Sequence, residues 1–443
     1  MIPQLSGQAV KISRLHANET EYTKFMELRN EAMAYYNSLT EGLTRKFFSP
    51  RLIAQVPMAN VNITRRVTDR TSEVYMVEAM RTAGTDAQTA NYKKYTPRKH
   101  QRMQRLERFT NLLEVELFHP YWNEATMTLD HTIISEFKPF FDMWGNLEGV
   151  RYPLVQSSNT DATDDQLYVE WALDGFSVVD ENDRVKKEEA WDGPFPFVLS
   201  WREEPEYFYD HLPSPDLIAG NRVINFYETI LAAGLGFQAF GQPYVTGIQD
   251  PNQAKSIEWD VSQILALPEG ASAGILNSSI NANDVIEAER NLYKMVARNY
   301  HLPEDFVEGS AQAESGVAIK LRNQELQNER IGDVARWRNF EHELFNIERF
   351  ILDSKGVSVG PELGVDFSET QEYLSDDEQR SRDDWDLQKN LITVPQIAMR
   401  RNPDLNDAEA EQMITANAEQ NATVTKAATP GNGLADLLSA PVG

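Results

Sequence analysis

The run from Leu217 to Phe240 is the nearest this chain comes to an unbroken apolar segment, and Arg222 and Glu228 interrupt it. A bilayer span asks for about 18–20 apolar residues without such charges, so no membrane-crossing helix is expected. A stretch this apolar is equally unsuited to water, and protein must cover it. A helix start stands before it: Ser214 has N-cap chemistry, Pro215 suits the first helical position and Asp216 complements the helix dipole. Small residues recur along it at Gly220, Ala232, Ala233, Gly234, Gly236 and Ala239. Glycine in a helix costs about 1 kcal/mol against alanine. Close approach of another helix is therefore expected, from the same chain or from a second copy.

The segments after this run come in a definite order. Residues 241–283 read as strands and loops (PYVTGI, SIEWDVSQILAL, GASAGIL), and 284–300 as a helix with Asp284 and Glu287 in capping-box spacing. Residues 301–315 form an acidic loop with Pro303, Glu304, Asp305, Glu308 and Glu314. Val334, Trp337, Phe340, Leu344, Ile347 and Ile351 then step by three and four, which predicts a long helix over about 316–352. Upstream, Glu21–Asn37, Thr71–Met80 and Arg98–Leu113 have helical periodicity, the last with a cationic face that is either solvated or turned to an acidic partner. From about Ala125 to Trp201 the period becomes two, with turn chemistry at Asp180–Asp183. Acidic helices are expected around Asp376–Asn390 and Asp407–Glu419, followed by a small-residue tail of mobile composition. A chain of 443 residues exceeds one core. The expectation is a mixed α/β protein, predominantly helical, in two or three packed units.

Charge is unevenly spread. The formal net charge is −26, yet residues 1–110 hold 18 basic and 10 acidic side chains, leaving 24 and 58 for residues 111–443. Such a balance argues against a protein that grips nucleic acid, because phosphate neutralisation needs clustered Lys and Arg.

Catalysis has no visible home. There is no phosphate-loop motif, and Gly234-Leu235-Gly236 with Gly241 has the wrong spacing for a dinucleotide fingerprint. The seven histidines form no H-x-x-x-H pair, and Glu341-His342-Glu343 reads as a solvated helix face. The Asp180–Asp183 cluster lacks the glycine and distal glutamate of a calcium loop. Asp376-Asp377 and Asp383-Asp384 leave a metal-dependent nuclease as a weak alternative. No cysteine is present, which removes disulfides and thiol chemistry and fits a reducing compartment. The N-terminus has no apolar region of a secretory signal. No catalytic residue, metal site or cofactor is expected.

Ala313-Glu314-Ser315-Gly316-Val317-Ala318-Ile319-Lys320 opens the long helix after the acidic loop and resembles the S-G-x-A-[IL]-K signature of tailed-bacteriophage portal proteins, of the long-tailed-phage type. Trp191 to Val198 is similar to the strand ahead of the portal stem. Arg98–Asn111 resembles an N-terminal motif of the family, and Ile392–Gln396 followed by Asn406–Glu411 resembles its C-terminal pattern, with Pro395 and Gln396 departing from it. The resemblance covers about residues 90–420. It implies a wing (1–212 and 316–365), stem helices (214–240 and 284–300), a small α/β clip (241–283), a tunnel loop (301–315) and a crown with a tail (366–443). It implies a ring, usually of twelve copies, at one capsid vertex of the virion, assembled in the host cytoplasm. Double-stranded DNA would pass through it without sequence specificity. Terminase, the major capsid protein and a head-tail adaptor would be its partners. Site residues carried over are Glu304, Asp305, Glu308 and Glu314 for the channel, Ser315, Gly316, Ala318 and Lys320 for the signature, and Tyr244, Trp259 and Asp260 for clip docking. The small residues Gly220, Ala232, Ala233, Gly234 and Gly236 would serve stem packing. The competing expectation is another phage structural or scaffold protein.

Overall fold

The computed structural model describes residues 19–54, 56–154, 166–203, 208–210, 212–240, 242–247, 272–276, 281–304, 306, 323–367, 376–402 and 405–427. The chain divides into two compact units, Met1–Ser310 with Asn323–Thr370 and Ala311–Arg322 with Gln371–Gly443.

The first unit opens with α1 (Glu19–Tyr36), α2 (Glu41–Arg45), α3 (Pro50–Ile53) and α4 (Ile63–Thr71), then β1 (Met80–Thr82), α5 (Asp86–Tyr95) and α6 (Lys99–Leu113). The helix expected over 71–80 is absent. Instead Val74, Tyr75 and Ala79 turn into the core, and the backbone N–H groups of Val74 and Tyr75 donate to the Glu107 carboxylate at 2.8 and 3.0 Å. A buried side chain supplies the acceptors that a helix would have supplied. Burial pushes the Glu107 carboxyl up to about 7, against the pull of those two N–H groups.

The cationic face of α6 is used largely within the chain. Arg98 and Arg102 pair with Asp130 at 3.3 and 3.4 Å, and Arg108 approaches Asp69 at 3.5 Å. Lys99 is almost wholly buried.

The period-two region makes two antiparallel sheets. β2 (Val115–Asn123), β3 (Thr128–Ile134) and β9 (Val198–Trp201) are ordered β3-β2-β9. The strands β4 (Lys138–Phe141), β5 (Leu147–Pro153), β6 (Tyr168–Ala172), β7 (Gly175–Val179) and β8 (Val185–Ala190) form a meander in chain order. The Asp180 cluster is its last turn: Asp180 accepts from the N–H groups of Asn182 and Arg184 at 2.9 and 3.0 Å.

Next come α7 (Pro215–Phe240), β10 (Gln242–Thr246), β11 (Ser272–Leu276), α8 (Ala282–Asn299), α9 (Gln324–Ser354) and β12 (Gly364–Asp366), which pairs with β1. Asn281, not Asp284, caps α8, its side chain accepting from the Asn283 N–H at 3.2 Å. Described helix over the predicted 316–352 starts at Gln324; residues 316–322 lie outside the described residues. Its apolar stripe packs on α6 and the three-stranded sheet: Trp337, Phe340, Leu344 and Ile351 share a core with Met103, Leu106 and Phe118.

Within that stripe sit two fully buried glutamates, Glu341 and Glu348, so the solvated face expected at 341–343 holds only for His342 and Glu343. Lys99 Nζ lies 2.9 Å from Glu341 Oε2 and 2.9 Å from Glu348 Oε2. Arg81 Nε and Tyr75 OH donate to Glu341 at 3.1 and 3.0 Å, and Tyr92 OH and His131 Nε2 (2.6 Å) reach Glu348. Burial works to raise the Glu341 carboxyl, but the Lys99 and Arg81 charges overcome it and hold it at about 2. Glu348 is held down likewise, with Lys99 and His131 outweighing burial.

The second unit holds α10 (Asp376–Gln388), α11 (Val394–Arg401) and α12 (Asp407–Ala427). Thr393 and Gln396 form a capping box with Pro395 in the first turn of α11, which gives both departures from the family pattern a local purpose. Asp383 accepts from Gln379 at 2.8 Å and from Arg400 and Arg401 at 3.2 Å each. The tail beyond Ala427 lies outside the described residues.

Removing the central cation should be costly. Lys99→Met leaves two buried carboxylates facing each other, and urea unfolding should show a loss of about 3–5 kcal/mol. In the wild-type chain, Glu341 has its carboxyl lowered on folding, so its contribution is complete above about pH 4.5 and fades as the pH falls toward 2. Denaturation midpoints measured between pH 6 and pH 2.5 should drop more steeply for wild type than for Glu341→Gln.

Candidate assembly surface on a helical hairpin

Helices α7 and α8 form an antiparallel pair extended by a two-stranded ladder. At its base Asp216 accepts from Asn299 Nδ2 at 3.0 Å and Tyr300 OH at 2.8 Å. One turn on, Gly220 faces Val296, whose Cγ2 lies 2.9 Å from where a Cβ would stand. This glycine serves an approach within the chain. At the other end Gln242–Thr246 pairs with Ser272–Leu276 in antiparallel register.

A second side of α7 is polar and wholly buried. Asn221, Asn225 and Thr229 recur every four residues and have no exposure. Asn221 Oδ1 accepts from Thr64 N at 2.9 Å while its Nδ2 donates to Val61 O at 2.7 Å. Asn225 Oδ1 accepts from Val61 N at 2.7 Å, and Thr229 Oγ1 from Ala59 N at 3.0 Å. The row fixes the extended 59–62 strap and the start of α4 along the helix. Two asparagines and a threonine at helical spacing inside an apolar run were the available signal, and apolar counting passes over them.

The third side carries apolar groups and is open. Ala219, Val223, Tyr227, Leu231 and Leu235 also recur every four residues, with Val223 37% and Leu235 49% exposed. Phe226 adjoins them and carries Phe48 stacked at 5.3 Å and the exposed Phe47 at 6.2 Å. Of the predicted packing residues, Ala233 and Gly234 are buried, Ala232 is exposed, and nothing lies within 4 Å of a Cβ added at Gly236.

Between the helices, Tyr293 OH donates to Glu289 Oε1 at 2.8 Å. Burial first, with the adjoining Glu228 carboxyl adding to it, pushes Glu289 up to about 7 despite that hydrogen bond. On the outer face of α8, Arg290, Lys294 and Arg298 follow one another at four-residue spacing, all exposed. Arg298 donates to Glu304 at 2.9 and 2.6 Å. That hydrogen bond, and then the Arg298 charge, hold the Glu304 carboxyl below its usual range. Mutual repulsion among loop carboxylates would have moved it the other way. Glu304 is thus an ion-paired residue at the end of α8.

Tyr244 is half exposed and its ring lies over Gly274 across the ladder, 2.6 Å from where a Cβ would stand. Asp305, Glu308, Glu314, Ser315, Gly316, Ala318, Lys320, Trp259 and Asp260 lie outside the described residues. Among the described residues, no group of three or more His, Asp or Glu could hold a metal ion, and no helix is long and apolar enough to cross a membrane.

The chain matches no protein-family model and no curated protein. Among solved structures it is similar to a chain from the neck of an empty GTA particle, with TM-score 0.39 and 12% identity over 75% of this chain and 86% of that one. It is also similar to a chain from the virion of a native gene transfer agent (GTA) particle, with TM-score 0.39 and 10% identity over 74% and 85%. Both likenesses are loose, and what the chain does is read from its own surface.

The polar row has a direct test. Asn221→Leu strands the Thr64 N–H and the Val61 carbonyl in a buried site, at about 1–3 kcal/mol for each orphaned group. Hydrogen exchange should then accelerate at Thr64, and the urea midpoint should fall.

Proposed function

We propose that this chain is a portal subunit: copies of it close into a ring, twelve in number as the family resemblance implies, through which viral DNA enters and leaves a capsid. The observation that carries this is the open apolar row on α7. The side of α7 that faces neither α8 nor the 59–64 strap is apolar and needs cover, and its own chain leaves Val223 and Leu235 exposed. A second copy supplies the cover, and a contact between two different faces of one chain repeats head to tail until the ring closes. The two-stranded ladder beyond the helices supports the same assembly, since an isolated strand pair is marginal in water and neighbouring ladders would shelter it.

In this reading α7 and α8 are the stem, the ladder belongs to the clip that meets terminase and later an adaptor, and 301–315 is the tunnel loop. The chain does not catalyse; a separate ATPase supplies the work. An acidic surface suits passage. A duplex carries about one charge per 1.7 Å, and a strongly cationic wall would hold it. The location is a capsid vertex, with the major capsid protein around the ring.

Electron micrographs of the purified protein should show end-on rings with a central hole, and native mass spectrometry should find one large assembly. A monomer that persists across dilution and salt would sink the proposal. Val223→Asp with Leu235→Asp changes two exposed residues, so far-UV helicity should stay within a few per cent of wild type while rings are lost. Gly220→Leu should instead fail in the monomer, because Val296 occupies the space.

A further inference from the structure

Buried glutamates of the first unit are met by cations or by backbone donors. Glu341 and Glu348 share Lys99, Glu116 pairs with Arg29, and Glu107 accepts two backbone N–H groups. Glu289 on α8 is 6% exposed, and among the described residues no cation offsets its burial. It is met instead by the Tyr293 hydroxyl, which donates to Oε1 at 2.8 Å, and by a second carboxyl, Glu228 of α7, in hydrogen-bond contact across the helix pair. Two ionised carboxylates are both acceptors, so this contact is a hydrogen bond only while one of them carries a proton. The surrounding charges are turned elsewhere. Helix α4 shares an apolar cluster with α7 and α8, and its Arg66 donates to the Phe306 carbonyl and lies over that ring; its charge is felt at Tyr293. Arg222 on α7 pairs with Glu31, and Arg290, which follows Glu289, is exposed on the outer face of α8.

We propose that Glu228 and Glu289 hold one proton between α7 and α8, and that its release parts the two helices and unsettles the assembly surface beside them. Glu228 follows Tyr227 and stands one turn before Leu231, both members of the open apolar row, so a shift of α7 at Glu228 is a shift of that row. Without the proton, two like charges face each other in a site that has little water to screen them. Burial first, and then the second carboxyl, hold the Glu289 group at about 7 against 4.5 for an ordinary glutamate, and the proton leaves the pair as a unit. A carboxyl raised on folding stabilises the closed hairpin fully below about pH 4.5 and loses that contribution as the pH rises through 7. The coupling to assembly rests on the ring reading; the shared proton, which lies within one chain, does not.

Hydrogen exchange on the full chain, with intrinsic rates divided out, tests the proton. Between pH 6 and pH 8.5 the amides of 224–232 on α7 and 286–293 on α8 should speed about tenfold or more, while those of β2 stay as they are. Glu289→Gln offers Glu228 an amide donor at every pH and should flatten the change. Glu228→Gln, which leaves Glu289 in place, should flatten it as well. The double variant Val223→Asp with Leu235→Asp should keep the full change as a monomer. Wild-type exchange that ignores the pH would overturn the proposal, as would a change of wild-type size in both glutamine variants. Native mass spectrometry then reads the coupling: the assembled fraction should fall severalfold from pH 6 to pH 8.5 in wild type and hold steady in Glu289→Gln. Rings indifferent to pH, over a hairpin that follows it, would overturn the coupling alone. A chain without rings at every pH would remove the coupling together with the ring reading, and exchange would still decide the proton.

Discussion

One ammonium group ties the first unit together. Lys99 stands at the start of α6, and the two carboxylates it holds lie seven residues apart on α9, on one face of the helix. Three ions taken from water cost several kcal/mol each unless their remaining valences are met. Here Arg81, Tyr75, Tyr92 and His131 meet them, drawn from β1, the 74–79 turns, α5 and β3. Apolar packing alone would let α9 slide by a turn along the sheet, exchanging one leucine for another. The charge cluster has a single solution, so it sets the register of the long helix against five other elements.

The same division of labour recurs on α7. Its covered side is fixed by a polar row that accepts only one alignment of the 59–64 strap, and its open side is apolar and indifferent to direction. Specific hydrogen bonds determine how the chain folds, and the featureless side remains for a partner. Gly220 belongs to the first kind of contact, which is why the glycines of this helix do not share one role. The glutamate pair Glu228–Glu289 sits where the two helices meet, and burial has already moved Glu289 toward neutrality.

Much of the architecture was legible in the sequence because it rests on periodicity. The α7 start at Pro215, the α9 stripe, the β-rich middle and the Asp180 turn all come from spacing and from residues with fixed local preferences. What was hidden depended on partners distant in sequence. Residues 71–80 have helical periodicity, but Glu107, some thirty positions away, captures two of the amides. Glu341 looked solvent-facing because its neighbours His342 and Glu343 are. Only the spacing to Glu348 marks the stripe it belongs to, and only Lys99 makes its burial tolerable. Candidate channel residues were harder still: Glu304 is ion-paired with Arg298, and whether any carboxylate faces a channel depends on copies of the chain as well as on its own loop.

Part of the basic excess of the first 110 residues is matched within the fold. Arg81 and Lys99 answer Glu341 and Glu348, Arg29 answers Glu116 at 2.8 Å, and Arg98 and Arg102 answer Asp130. Arg66 donates to the Phe306 carbonyl at 2.5 Å and lies over its ring. Cations of the N-terminal quarter and carboxylates from later in the first unit thus share one interior, brought together by folding. Charge segregation along a sequence often marks a nucleic-acid surface; in this chain several of the cations are engaged within the fold. The acidity left over is what the folded protein presents outward. The short row of Arg290, Lys294 and Arg298 on α8 is an exposed exception to the chain's acidic balance.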